Sequence, residues 1–179
     1  MKIFQKNSSY GFTLIELLVV IAIISLLSSV VLASVQTATG RANAVYKLQT
    51  ARQYMNAFAL YQTDNDSYPR ISGMGVNSGF CLGASNPNDT CYNTEYTESD
   101  TFNDEISSYI SGLPSDTKSL IVEGSDIRGI VYQCLAISNN ICTSYAIRWF
   151  IEGNTPNCGE GVSVPAVPTS GFLECVITK

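Results

Sequence analysis

The chain is 179 residues long, carries a formal net charge of -5 from 10 basic and 15 acidic residues, and contains no histidine. That length leaves room for one ordinary globular domain beside an apolar segment, and not for two large cores. Without histidine there are no histidine general bases, histidine-paired nucleophiles or histidine metal ligands, so no enzyme is expected; an acidic chain also gains little from neutralising phosphates, which sets nucleic acid aside as a main partner.

The first element is a short polar leader, "MKIFQKNSSYG", with Lys2 and Lys6 and no acid. After it, Leu17 to Val35 reads "LLVVIAIISLLSSVVLASV", uncharged and broken only by small polar residues. About 20 such residues span a hydrocarbon core as a helix. The basic leader predicts a single span with its N-terminus in the cytoplasm and its C-terminal part in the periplasm or outside. A secretory signal peptide has the same basic-then-apolar order, but this apolar run is too long for one, and "ASVQTATG" flows into further helical pattern without an A-x-A-like site. Glu16 stands in a stretch otherwise ready to enter a membrane; a carboxylate at the centre of a membrane helix costs roughly 2.5 to 3.5 kcal/mol on insertion scales and so calls for a partner or a function.

The basic leader, Gly11 at its end, then Phe12 and "TLIELLVVIAI" resemble the type IV prepilins and type II secretion pseudopilins. The resemblance implies that a prepilin peptidase cuts after Gly11 and methylates the new amino terminus on Phe12, leaving the apolar helix on the mature chain. It also supplies the partner for Glu16. The new α-amino group is cationic at neutral pH, Phe12 and Glu16 share a helix face, and in this family the glutamate is thought to meet the terminal amine of a neighbouring subunit in a filament. A carboxylate snorkelling near a helix end, or one serving a proton relay, is the plainer alternative.

Helical pattern continues beyond the apolar run. Val45, Leu48, Ala51, Met55 and Phe58 recur every three or four residues, a stripe expected to pack against a sheet. The expectation is one helix from Phe12 to about Tyr61, about 75 Å long at 1.5 Å per residue, with Gly40 as its most flexible point. Asp64, Asn65 and Asp66 end the pattern and Pro69 forbids its continuation. Ala59 to Pro69, "ALYQTDNDSYP", resembles the segment closing the long helix of pseudopilins, and Ile106 to Asp116, "ISSYISGLPSD", resembles their short helix and turn.

Residues 72–104, rich in Gly, Ser, Asn, Thr and Asp, read as a decorated loop. Three strand-like runs follow, "IRGIVYQCLAI", "CTSYAIRWFIE" and "GFLECVITK", the first two flanking the turn candidate "SNNI". Six cysteines, Cys81, Cys91, Cys134, Cys142, Cys158 and Cys175, all lie beyond the apolar run, with no C-x-x-C pair that would suggest zinc. They read as three disulfides formed in an oxidising space, against the alternative of free buried thiols. Neighbours in sequence are the favoured pairs. Cys134 and Cys142 sit symmetrically about Ser138, facing each other across a hairpin; Cys81 with Cys91 closes a loop, and Cys158 with Cys175 fastens the final strand. The last pair brackets a Gly- and Pro-rich stretch that resembles the disulfide-bounded C-terminal region of pilins.

Other motifs carry less. Ser115 to Lys118 spells S-x-x-K without its companion S-D-N and K-T-G motifs, and Gly73, Gly75 and Gly79 lack the strand-before, helix-after context of a phosphate cradle. Between Asn86 and Glu105 stand Asp89, Glu95, Glu98, Asp100, Asp104 and Glu105 with no Lys or Arg. They form either a solvated acidic loop or, as in some pseudopilins, a calcium site; no other cofactor is expected.

The expected fold is therefore α+β and pilin-like, one long N-terminal helix packed on a small antiparallel sheet with disulfide-closed loops. Residues 1–11 are a leader, 12–35 a membrane and filament-core helix, and 36–179 the globular part. The function implied is a structural subunit of a type IV pilus or type II secretion pseudopilus, its partners being like subunits and the prepilin peptidase. The alternative is a minor pilin binding a surface, DNA or an exported substrate at a filament tip.

Overall fold

The computed structural model describes residues 12–83, 90–91, 96–114, 120–122, 125–152, 158–159, 162 and 172–179. Helix α1, Leu14–Asn65, is continuous, and the chain divides within it into two compact units, Met1–Thr39 and Gly40–Lys179. In the first unit the large apolar side chains are exposed, from 48% at Val19 to 91% at Phe12. Four hydroxyls in this stretch bond back to the helix itself. Ser25 donates to the Ile21 carbonyl, Ser29 to Leu26, Ser34 to Val30 and Thr39 to Val35. Each bond turns a polar side chain back onto its own helix, so these residues need no water.

In the second unit, Lys47, Thr50, Ala51, Tyr54, Ala57, Phe58 and Tyr61 are buried, a helical stripe of the kind that covers a core. This corrects the expected stripe. Val45 is 53% exposed, and Leu48 and Met55 only border the core. The buried face is centred on tyrosines and includes the stem of a lysine, residues that an apolar count passes over. The helix stops as expected. Asp66 takes a left-handed φ of 53°, which a short polar side chain tolerates, and its N–H donates to the Gln62 carbonyl at 2.9 Å.

Four antiparallel strands form the main sheet: β1 Gly79–Leu82, then β6 Ile130–Ser138, β7 Ile141–Glu152 and β8 Phe172–Thr178, in spatial order β1-β6-β7-β8. Two further two-stranded pairs lie outside the main sheet, β2 Thr90–Cys91 with β3 Tyr96–Thr97, and β4 Leu120–Val122 with β5 Ser125–Ile127. Helix α2 spans Asp100–Ser107, and the Ser99 hydroxyl caps it by accepting from Phe102 N. The three predicted strands are present. The stretch 72–104, expected as loop, instead supplies the sheet's edge strand β1 and the start of α2. The short helix expected at 106–116 lies earlier because Ser99 and Asp100 provide its N-terminal cap and first-turn acid. Gly79 is forced by the sheet: a Cβ there would stand 2.4 Å from the Tyr132 carbonyl oxygen.

Disulfides join Cys81 to Cys91, Cys134 to Cys142 and Cys158 to Cys175, with Cα separations of 5.8, 6.0 and 5.6 Å. The hairpin reasoning behind the second pair needs correction. The turn is at Asn139 and Asn140, both with positive φ as a type I′ turn requires, so Ile137 faces Cys142 and Cys134 faces Tyr145. Register shifts between Cys134 and Ile137 bring the two sulfurs within reach along a diagonal. Arg70 braces the same turn, donating through Nη1 to the Asn140 backbone and side-chain oxygens at 2.8 Å and through Nη2 to Met74 O at 2.6 Å.

Phe58 is the hub of the core. Its ring meets Tyr132 at 5.0 Å and Tyr145 at 5.3 Å edge-on, with Phe102 of α2 at 6.2 Å. One side chain thus ties α1 to β6, β7 and α2. Phe58→Ala should destabilise the 41–179 fragment by about 3 to 5 kcal/mol, read as a lowered denaturant midpoint at unchanged slope.

The tyrosines around Phe58 make stability pH-dependent. Tyr132 donates to Pro69 O at 2.6 Å and Tyr54 to Pro114 O at 2.8 Å. Burial raises the phenol pKa of Tyr54, Tyr132 and Tyr145 well above the ordinary value. The folded state holds these protons more tightly than the unfolded chain does. The stabilisation is therefore complete below the unfolded phenol value of about 10 and is lost as pH rises beyond it. In an alkaline titration these three phenols should ionise together with loss of sheet circular dichroism; early ionisation of all of them in a still-folded domain would contradict their burial.

Candidate functional site at the start of the first helix

Phe12 and Thr13 precede α1 and are not helical. Thr13 is the N-cap: its carbonyl accepts from Leu17 N at 3.4 Å, and its hydroxyl accepts from Glu16 N at 3.3 Å. Glu16 reciprocates. Its Oε2 accepts from both Thr13 N and Thr13 Oγ1, each at 2.8 Å. This is a capping box, in which the first residue of T-x-x-E and the carboxylate three positions on satisfy each other's donors. The motif is plainly written as "TLIE", a local partner for the carboxylate that a search for a partner on another subunit passes over.

Sequence-predicted site residues fall in different places. Gly11 lies outside the described residues. Phe12 is exposed just ahead of the cap, and Glu16 is exposed on the first turn. The six cysteines are buried in the second unit and paired. Cys158 leads into Gly159, whose φ of +99° favours glycine; a Cβ there would lie 2.4 Å from Leu48 Cδ2, so the leucine side chain would have to shift. That disulfide thereby holds a loop end between β8 and the second half of α1.

Of the acids weighed for calcium, Asp89 and Glu95 lie outside the described residues. Among the described residues no three His, Cys, Asp or Glu side chains are grouped to hold a metal ion. Glu105 instead accepts a hydrogen bond from the Tyr61 hydroxyl. Ser115 to Lys118 also lies outside the described residues. Gly79 is part of β1.

Among the described residues one helix, α1, is long and apolar enough to cross a membrane. A long N-terminal helix packed on an antiparallel sheet, with disulfides, is a pilin-like α+β fold. Residues 6–32 match the family described as the prokaryotic N-terminal methylation motif, which spans the leader end, Phe12, the capping box and most of the apolar run. The chain is similar to the type IV wide pilus major component PilA4 of Thermus thermophilus, at 43% identity over 62 residues, 35% of this chain and 47% of that protein. The match thus covers about half the length of that relative. No solved structure matches the chain.

Proposed function

We propose that the protein is a prepilin-like structural subunit of a type IV pilus or pseudopilus. The observation that carries this reading is the methylation motif at residues 6–32, which runs across the Gly11–Phe12 bond into a helix whose large apolar side chains are exposed. Such a surface is stable only in lipid or against other helices, and a bundle of like subunits provides the second environment after a membrane has provided the first. The relative's description as a major pilus component favours the pilus over the pseudopilus.

In this reading residues 1–11 stay in the cytoplasm, residues 12–35 cross the cytoplasmic membrane once, and residues 36–179 lie in the periplasm or outside. A prepilin peptidase cuts after Gly11 and methylates Phe12. The freed amine then pairs with Glu16 of a neighbouring subunit, setting the stagger between helices. The chain's work is mechanical, with no catalytic step: cohesion from packed apolar helices, and an outer surface from the disulfide-tied sheet.

Intact-mass measurement on protein recovered from membranes should show loss of residues 1–11 and one added methyl group. A mature chain beginning near Gln36 would replace this reading with an ordinary exported protein.

The role of the Glu16 charge separates from its role in the cap. Glutamine also closes a capping box but carries no charge, whereas leucine removes both. Glu16→Gln should therefore be cleaved and inserted normally, keep the helix start, and yet assemble poorly, with Glu16→Leu no better. Normal filament yield and subunit spacing in Glu16→Gln would show that the ion pair is not what registers the helices.

A further inference from the structure

We propose that Tyr61 and Tyr109 form an oxidative cross-linking site, at which a one-electron oxidant of the radical or high-valent metal class couples the two phenols into a dityrosine. Tyr61 lies near the end of α1 and Tyr109 just beyond α2, and both belong to the second unit. Their rings meet edge to face, with centroids 5.4 Å apart and planes at 65°. Asn65 holds the pair together. Its Nδ2 donates to the Tyr61 carbonyl at 3.0 Å and to the Tyr109 hydroxyl at 3.3 Å. Tyr61 is only 7% exposed and Tyr109 is half-buried, so each ring reaches the other more readily than it reaches a tyrosine of a second molecule.

An oxidised phenol must also lose its proton, and this requirement singles out Tyr61. Its hydroxyl donates to the Glu105 carboxylate, a base that takes the proton as the electron leaves. Tyr54 and Tyr132 donate instead to the Pro114 and Pro69 carbonyls, which cannot hold it. Burial and the same carboxylate raise the Tyr61 phenol pKa, so the proton stays in place until an electron is withdrawn. Each phenol gives one electron to the oxidant and releases one proton, from Tyr61 to Glu105 and from Tyr109 to water. The two phenoxyl radicals then join through a carbon–carbon bond between ring positions ortho to oxygen. The hydrogens on those carbons pass to the phenol oxygens and restore both aromatic rings, for a net loss of two electrons and two protons. The bond fastens the end of α1 to the turn after α2, a junction that none of the three disulfides reaches.

The test uses the purified full-length chain in detergent, oxidised by trivalent ruthenium tris(bipyridine) generated with light and persulfate. Dityrosine fluorescence follows the rate, and peptide mapping of the monomer locates the bond. A Tyr61–Tyr109 cross-link should dominate, at a rate per molecule that does not change on dilution. Glu105→Gln keeps an oxygen acceptor but removes the base, so cross-linking should slow by about tenfold or more, and Tyr109→Phe should abolish the product. The proposal is overturned if the dominant bond joins Tyr68 to Tyr145, whose rings are closer at 4.6 Å. It is equally overturned if cross-links form only between molecules, or if Glu105→Gln couples as fast as the wild type.

Discussion

The contact on which the globular part depends is the insertion of Phe58 between the tyrosines of β6 and β7. A helix can lie on a sheet only if one of its faces is apolar enough to leave water, and here that face is built largely from aromatic rings. Phe58, Tyr54 and Tyr61 come from α1, Phe102 from α2, and Tyr132 and Tyr145 from the sheet. Aromatic side chains bury much area for each residue used, which suits a domain with a small core. Phenol hydroxyls then need partners, and Tyr54 and Tyr132 find them in the Pro114 and Pro69 carbonyls. Those bonds also fasten the two connections that leave α1 and α2.

Around this contact the disulfides tie buried segments to the main sheet. Cys81–Cys91 links the edge strand β1 to the two-stranded hairpin, and Cys158–Cys175 ties a short described segment to β8. Each closed loop stabilises mainly by restricting the unfolded chain, and each is worth roughly 2 to 4 kcal/mol in a domain of modest total stability. Gly159 lies close against Leu48 of the helix, so that a Cβ there would require the leucine side chain to move.

Helix α1 answers two different environments along one continuous backbone. In its first stretch the large apolar side chains are exposed and the serines fold their hydroxyls back onto the helix, the pattern of a segment made for an apolar surrounding. In its second part the buried stripe includes Lys47 and Thr50, and the exposed face mixes polar residues with Val45, Tyr46 and Leu60. Glu16 sits at the start of the first stretch, and the capping box explains how a charge can stand there at all: the same bonds that finish the helix also hold the carboxylate.

Local chemistry was legible in the amino-acid order. The apolar run, the basic leader, the stop at Asp64 to Asp66, the three long strands and the favoured cysteine pairs depend on side-chain type and short spacing, and the sequence by itself determined them. The methylation motif is of the same kind, since it is written in consecutive residues from the end of the leader into the apolar run. What only the tertiary structure decided was which face of α1 the sheet covers, because a tyrosine or a lysine stem counts as buried only when something lies over it. It also decided that residues 79–82 become an edge strand, since a short Gly-containing segment acquires strand geometry from the partner β6 rather than from its own preference. The diagonal across the hairpin between Cys134 and Cys142 belongs here too: a bulge is a property of two strands in register, and no single strand encodes it.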